Sequence, residues 1–175
     1  GMVAGRESGS ESFVGYHGTS ADGARRMQVL VDGRSIYEAA LARVDWIGLP
    51  LDVEDIERIE VVRGPNSATY GANSFFGVVN IITRSALEVP NAEIIGRGGD
   101  DRIADGFARL SLHGLGGDWA WSAFHREDTG FDIDARKKTP FNDDKAVDGF
   151  YGQRQYATAH DGLLAFSAGF SRMVA

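Results

Sequence analysis

The sequence predicts a small α+β domain, with a mixed sheet and short helices, followed by antiparallel strands of an incomplete β-barrel. Residues 49–84 support the first part, because a short helical pattern changes there to strand alternation and ends in the apolar run VVNIIT, typical of a strand covered on both faces. The stretch after residue 92 supports the second part, because apolar and polar residues alternate between turn dipeptides. With 23 glycines and 4 prolines in 175 residues, strands and turns are favoured over long helices.

The chain order gives four predicted segments. Residues 1–12 are rich in Gly, Ser and Glu, so we expect them to form a disordered tag or leader. Residues 13–84 are expected to form the α+β domain, and residues 85–91 a linker. Residues 92–175 are expected to form about five barrel strands.

Each element of the α+β domain has a local signal. Asp32-Gly33 is a tight-turn dipeptide, Gly64-Pro65 ends a strand, and Gly71 can end a single helical turn. The predicted elements are, in order, strands over 12–18 and 27–31, a short helix over 35–42, a helical pattern over 51–56, a strand over 57–63, a helical turn over 67–70 and a closing strand over 78–83.

The second half of the chain alternates with a period of two. Ala108, Leu110 and Leu112 are predicted on one face of their strand, opposite Arg109. Short turns alternate with a long charged loop over residues 128–147, a pattern typical of a transmembrane β-barrel. About five strands cannot close such a barrel and leave two unpaired edges, so we expect self-association through those edges. The predicted strands cover residues 92–98, 103–113, 119–127, 150–160 and 163–173.

Composition and motifs argue against several other functions. A formal net charge of −7 opposes nucleic-acid binding, and the absence of cysteine removes disulfides and thiolate metal sites. No apolar run is long enough to predict a transmembrane helix. The sequence has no nucleophile elbow and no P-loop, so we expect no enzyme, no catalytic residue and no cofactor. No metal is expected either, because metal-site spacing is lacking among His17, His113, His125 and His160.

Three strings in the first half carry a resemblance to a known family. They are IERIEVVRGP at 56–65, YGANS at 70–74 and GVVNIITR at 77–84. In this order they resemble the second half of the plug domain of TonB-dependent outer-membrane receptors. Upstream, MQVLVDGRSIY at 27–37 is similar to the hairpin region of the plug, whereas His17 stands where the family has an arginine.

The resemblance implies a plug domain followed by the first strands of an incomplete outer-membrane β-barrel. It implies that the full-length receptor takes up a scarce solute, such as a ferric siderophore, cobalamin or a saccharide, across a Gram-negative outer membrane. The partner implied is a TonB-type energy-coupling protein. The N-terminal residues show neither the apolar core of a secretory signal nor the TonB-contacting segment, so we expect a truncated receptor that lacks both.

The resemblance also implies two sets of contact residues. The apical loops of such a plug correspond to residues 19–26 and 35–47, and the expected ligand contacts are Tyr37, Glu38, Arg43 and Trp46. Charged residues of the plug sheet face the barrel wall, which implies a plug–barrel contact by Arg58, Glu60 and Arg63. The other carboxylates of this region are expected on solvated faces, namely Asp52, Glu54, Asp55 and Glu57.

Two alternatives come from other functional classes. The tetrapeptide YHGT at 16–19 also resembles the NAD-binding start of diphtheria-type ADP-ribosyltransferases, which would make His17 a nicotinamide-ribose contact. The second alternative is a soluble β-rich interaction module, favoured if residues 92–175 close a small barrel with a core of their own.

Overall fold

The computed structural model describes residues 2–8, 11–16, 27–38, 43–71, 73–100, 103–114, 116–130, 144–158 and 162–174. The chain divides into two compact units. The first unit comprises Gly1–Ile47 and Ile56–Thr83, and the second comprises Gly48–Asp55 and Arg84–Ala175. The sequence predicted one continuous domain over 13–84. In the structure, Gly48–Asp55 group with Arg84–Ala175 in the second unit, and Glu54 and Asp55 of this segment form ion pairs with Arg97 and Arg109.

The first unit contains a two-stranded and a four-stranded sheet. The two-stranded sheet pairs β1 (Met2–Ser8) with β2 (Glu11–Tyr16) in antiparallel register. The four-stranded sheet has the order β4-β3-β6-β5, in which β3 and β6 are parallel and the other neighbours antiparallel. Its strands are β3 (Met27–Val31), β4 (Arg34–Ser35), β5 (Ile56–Arg63) and β6 (Gly77–Thr83).

The disordered leader predicted over residues 1–12 is wrong for Met2–Ser8, which form β1. Val3 pairs with Gly15 and Ala4 with Val14 in the β1–β2 hairpin. Composition misses this strand because a β-strand satisfies its backbone hydrogen bonds on a partner, which a count of Gly, Ser and Glu cannot reveal.

An apolar cluster forms the core of the first unit. Met27, Val29, Val44 and Val79 are buried in it, and partly buried Val14, Ile36, Tyr37 and Trp46 pack against it. Five of the seven β6 residues are buried, which confirms the prediction that VVNIIT is covered on both faces. The two central strands therefore carry apolar residues on both faces, interrupted by Gln28 in β3 and Asn80 in β6, rather than alternating with a period of two.

The turn at Asp32-Gly33 has the predicted place, directly after β3. Both residues have positive φ, 48° and 78°, which Asp and Gly tolerate well. The Asp32 carboxylate accepts hydrogen bonds from the Thr83 backbone N–H at 2.9 Å and from the Thr83 hydroxyl at 2.8 Å. The turn is thereby tied to the end of β6.

Two helical predictions have different outcomes. The single turn predicted over 67–70 is confirmed as α1 (Ser67–Tyr70), and Gly71 ends it with φ 77°. The helix predicted over 35–42 does not begin at Ser35, which lies in β4. The Ile36 N–H donates to the Val29 carbonyl at 3.1 Å, so pairing with β3 replaces the local helical preference.

The second unit is a five-stranded antiparallel meander with the order β11-β10-β9-β8-β7. The strands are β7 (Ala92–Gly98), β8 (Ala104–His113), β9 (Asp118–Asp128), β10 (Lys145–Ala157) and β11 (Leu163–Val174). The number and order agree with the sequence prediction. β10 begins at Lys145, so the loop predicted over 128–147 is shorter than expected. The unit also contains a 3-10 helix, Val53–Asp55, where the sequence predicted a longer helical pattern.

The two faces of this sheet differ in composition. One face buries Phe107, Arg109, Ser111, Ser122 and Phe124. The opposite face exposes large apolar residues, including Ile94, Leu110, Leu112, Phe166 and Phe170. The predicted alternation of Arg109 against Leu110 and Leu112 is confirmed. An apolar face turned outward, opposite a face that buries charged and polar side chains among aromatic ones, differs from the arrangement of a water-soluble sheet.

Candidate functional site: the loop edge of the first unit and the buried ion pairs of the second

Several loops of the first unit meet at one end of its four-stranded sheet, where β3 and β6 begin; this end is here called the loop edge. Because β3 and β6 are parallel, with Met27 beside Gly77, both strands begin at that edge. β4 runs antiparallel to β3, so the chain after Ser35 returns to the same edge. The connection between β5 and β6, residues 64–76, also lies there, since Arg63 is the register partner of Gly77.

Two of the expected ligand contacts form an exposed pair at this edge. The Glu38 N–H donates to the Arg43 carbonyl at 2.8 Å, and the Arg43 Nε lies 3.5 Å from the Glu38 Oε2. Both side chains are about half exposed, at 50% for Arg43 and 43% for Glu38. The other two expected contacts, Tyr37 and Trp46, are partly buried against the apolar cluster. Their rings therefore support the loop, and less of their surface is open to a ligand.

The β5–β6 connection adds aromatic residues that the sequence interpretation missed. Tyr70 is 38% exposed and Phe75 is 55% exposed, with the Phe75 and Phe76 rings packed edge to face at 5.0 Å. The loop is held at its base, where the Asn66 N–H donates to the Ser74 carbonyl at 3.0 Å and the Ser74 Oγ donates to the Gly71 carbonyl at 2.5 Å. The sequence shows an aromatic pair, Phe75-Phe76, between Gly71 and Gly77, which could have identified these residues as candidates. Their position at the loop edge, however, depends on the order of the strands in the sheet.

The residues expected at a plug–barrel contact lie on exposed β5. Arg58 donates to Glu60 at 2.9 Å and to Glu57 at 2.5 Å, and these hydrogen bonds raise the pKa of the Arg58 guanidinium above its ordinary value. Arg63 is exposed at the end of the same strand. Within the first unit, Arg58 and Glu60 are thus brought together, and Arg63 lies further along β5.

A buried ion-pair network occupies the inward face of the second unit. Arg109 donates through Nη2 to the Asp55 carboxylate at 2.9 Å and to the Glu54 carbonyl at 2.6 Å, and through Nη1 to Glu93 at 2.8 Å. Arg97 binds Glu54 at 2.6 Å and lies 3.5 Å from Asp52. The side chains of Arg109 and Asp55 are only 3% and 4% exposed.

This network corrects the expectation that the carboxylates of residues 52–55 are solvated. Asp52 and Asp55 are buried, at 2% and 4% exposure. Their turn is also closed internally, because the Asp52 N–H donates to the Asp55 carboxylate at 3.0 Å and the Glu54 N–H donates to the Asp52 carboxylate at 3.1 Å. Buried carboxylates need such partners, and no local signal in the sequence identifies arginines about 50 positions away.

The outward face of the second unit carries aromatic and charged residues at opposite ends. Near the β8–β9 turn, Trp119 and Trp121 stack at 5.5 Å and the Arg154 guanidinium lies 4.4 Å from the Trp119 ring centre. Near the opposite end, Asp148 contacts His125 at 2.8 Å and Arg172 at 3.1 Å.

The described residues give no support for a metal site or a membrane-spanning helix. Among them, no group of three or more His, Asp or Glu side chains is placed to hold a metal ion. No helix in the described ranges is long and apolar enough to cross a membrane. His17, His160 and the apical loop 19–26 lie outside the described residues, and so does the YHGT motif beyond Tyr16.

Sequence comparisons connect the chain to outer-membrane transport proteins. Residues 1–78 match the family model of the TonB-dependent Receptor Plug Domain. A vitamin B12 transporter, BtuB, of Photobacterium profundum is 35% identical over 144 residues, covering 81% of this chain and 22% of the relative. The ferric enterobactin receptor PirA of Pseudomonas aeruginosa is 28% identical over 168 residues, covering 82% of this chain and 22% of the relative. The chain thus spans about a fifth of the length of these curated relatives.

Solved structures agree at the level of the fold. The ferric yersiniabactin uptake receptor FyuA of Yersinia pestis superposes with a TM-score of 0.72 at 17% identity, over 99% of this chain and 27% of that one. The pyoverdine outer membrane receptor FpvA of Pseudomonas aeruginosa gives a TM-score of 0.63 at 18% identity, over 98% of this chain and 23% of that one. The plug match, the sequence relatives and the shared fold lead to one conclusion: the chain belongs to the TonB-dependent receptor family, and its plug domain lies within the first half.

Proposed function

We propose that this chain is the plug domain and the first barrel strands of a receptor that takes up a scarce solute across a Gram-negative outer membrane. The observation that carries the proposal is the pairing of a plug domain with a strand meander whose apolar face is turned outward. Lipid covers that apolar face, and the opposite face, which carries Arg109, Ser111 and Ser122, lines the interior of the barrel. A TonB-type energy-coupling protein drives uptake, and the chain performs no covalent chemistry.

The solute binds at the loop edge of the first unit. The exposed Glu38–Arg43 pair can orient a charged solute, and the exposed rings of Tyr70 and Phe75 supply apolar surface beside it. This combination suits a ferric siderophore or a cobalamin, which present polar groups on a large, partly apolar body. The curated relatives include transporters of both kinds by name.

The orientation in the membrane follows from loop length. Outer-membrane barrels have short periplasmic turns and longer extracellular loops. The strand ends that the long connection joins, at Asp128 and Lys145, therefore lie toward the extracellular side, and the opposite ends of β8 and β10, at His113 and Ala157, lie toward the periplasm. This places the Trp119–Trp121 stack at the periplasmic interface, where aromatic side chains are favoured.

Uptake by the full-length receptor tests the proposal. We would express it in a Gram-negative strain that lacks its own vitamin B12 and enterobactin receptors, and measure uptake of labelled vitamin B12 and of ferric enterobactin. We expect uptake of one of the two, and loss of that uptake when the energy-coupling protein is deleted. If neither solute enters energised cells in which the receptor is present in the outer membrane, the assignment to cobalamin or siderophore uptake is wrong.

A further inference from the structure

The segment Gly48–Asp55, here called the anchor segment, is attached to the strands of the second unit at several points. At one end, the Ser171 hydroxyl donates to the Gly48 carbonyl. A Cβ atom built on Gly169 would lie 2.9 Å from the Cβ of Pro50, so β11 contacts this residue closely. At the other end, Arg97 and Arg109 hold the acidic turn Asp52–Asp55.

The residues that follow β6 are also hydrogen-bonded to the anchor segment and to β10. The Arg84 N–H donates to the Asp55 carbonyl at 2.8 Å, so the residues just before β5 and just after β6 are hydrogen-bonded to each other. The Arg84 carbonyl accepts from the Gln153 side chain at 2.7 Å, and the Ser85 hydroxyl donates to Gln155 at 2.8 Å. Both ends of the β5–β6 hairpin therefore continue into residues that β8 and β10 hold.

We propose that the anchor segment stays bound to the barrel strands during uptake, with Arg109 and Arg97 as the positioning residues, so that the part of the plug that moves ends at Ile47. The role in uptake rests on the proposed function, whereas the attachment itself rests on the contacts above. The anchor does not touch the solute. It sets how far along the chain a rearrangement can spread.

Burial explains why this contact persists. Separating Asp55 from Arg109 would leave charged groups without partners on a face that excludes water, which costs far more than separating an exposed pair. The chain before Ile47 is joined to β6 differently, by five parallel register pairs between Met27–Val31 and Gly77–Ile81 and by apolar packing. Parallel pairing is slightly less stable per residue than antiparallel pairing. β5 is joined to β6 by seven antiparallel pairs.

Hydrogen exchange on the 175-residue chain in detergent tests the attachment. We expect the amides of Asp52, Glu54 and Asp55 to be protected, and Arg109→Ala to speed their exchange by about tenfold or more. The matched control Arg58→Ala removes an arginine whose two partners among the described residues, Glu57 and Glu60, are exposed, and should change these amides by no more than about twofold. Equal effects of the two variants, or unprotected turn amides in the parent chain, would overturn the anchor. If Arg109→Ala does not fold, Asp55→Asn replaces it and is read by the same criterion.

Disulfide locks in the full-length receptor test the role in uptake. Residues 1–175 contain no cysteine, so within this part of the receptor the two introduced residues form a defined pair. Pro50→Cys with Gly169→Cys locks the anchor segment to β11, because the Cβ atoms are already close enough for a disulfide after a small adjustment. Val29→Cys with Val79→Cys locks β3 to β6, since these residues are register partners on neighbouring strands.

The two locks have opposite expected results in the vitamin B12 and ferric enterobactin uptake assay. We expect the anchor lock to leave uptake within about twofold of the parent, and the β3–β6 lock to abolish uptake until a reductant is added. A block of uptake by the oxidised anchor lock that is relieved by reductant would contradict the inference. Absence of uptake in the parent receptor refutes the proposed function instead, and the exchange experiment then still decides whether the anchor exists.

Discussion

The Arg109 Nη2 atom lies 2.9 Å from the Asp55 carboxylate, and both side chains are at least 96% buried. Asp55 closes the turn that precedes β5, and Arg109 points from the centre of β8 to the inward face of the meander. The pair therefore joins a segment from the first half of the chain to a strand from the second half. Residues 48–55 and Arg109 both lie in the second unit.

Arg109→Ala should destabilise the chain strongly. It leaves Asp55 and Glu93 without the guanidinium that binds both, and removing one member of a buried pair costs about 3–5 kcal/mol. The free energy of unfolding, measured in denaturant by tryptophan fluorescence, checks this. Arg172→Ala is the matched control, because Arg172 and Asp148 are 69% and 45% exposed and such a pair contributes about 0–1 kcal/mol. Equal losses for the two variants would contradict the prediction.

Gly77→Ala should destabilise the first unit through a backbone clash. A Cβ at this position would lie 2.6 Å from the Val62 carbonyl oxygen, which is part of the paired strand and cannot move away easily. The expected loss is about 1–3 kcal/mol, the usual cost of overpacking. Gly96→Ala serves as control, since nothing lies within 4 Å of its added Cβ. Thermal unfolding of both variants measures the difference, and an unchanged midpoint for Gly77→Ala would refute the clash.

Trp119 and Trp121 should contact lipid. They stack on the outward face of β9, and an aromatic pair at a barrel interface sits at the level of the headgroups. In vesicles with brominated acyl chains, we expect the fluorescence of the full-length receptor to fall, and the quenched fraction to shrink in Trp119→Phe/Trp121→Phe. Trp46→Phe is the control, because this residue packs against the core of the first unit. If the double substitution leaves the quenched fraction of the fluorescence unchanged, this face lies away from lipid.

The 175-residue chain should self-associate through its strand edges. β7 and β11 are the two edges of the meander, and β11 is exposed along nearly its whole length. Unpaired edges recruit further strands, particularly beside an exposed apolar face. Light scattering in detergent-free buffer should therefore give a mass above that of the 18.9 kDa monomer. Phe166→Lys/Phe170→Lys, which charges the exposed face, should reduce the oligomer, whereas a monodisperse monomer in the parent chain would refute the prediction.

Several elements have local signals strong enough to be predicted from residue type and period alone. They are the turn at Asp32-Gly33, the helical turn ended by Gly71 and the two-sided burial of β6. Other elements could not be predicted, because pairing with another strand determines them. Met2–Ser8 form a strand because β2 accepts their hydrogen bonds, and Ile36 is drawn to β3 instead of starting a helix.

The residues of the candidate site likewise include some that the sequence predicted and some that it did not. The exposed pair of Glu38 and Arg43 was among the expected ligand contacts, and the two residues are five positions apart, so a turn could bring them together. Tyr70 and Phe75 were missed because only the parallel pairing of β3 with β6 brings their loop to the same edge.

The sequence by itself determined the elements of this protein and the character of their faces. Period-two alternation set which residues of β8 lie together, and the run VVNIIT marked a strand of the first unit that is covered on both faces, because side-chain direction follows directly from backbone period. Only the tertiary structure decided that Asp52 and Asp55 are buried and that Arg97 and Arg109 hold their turn. A carboxylate is buried only when a partner stabilises its charge, and here that partner is about 50 residues away, at a distance fixed by the packing of the strands.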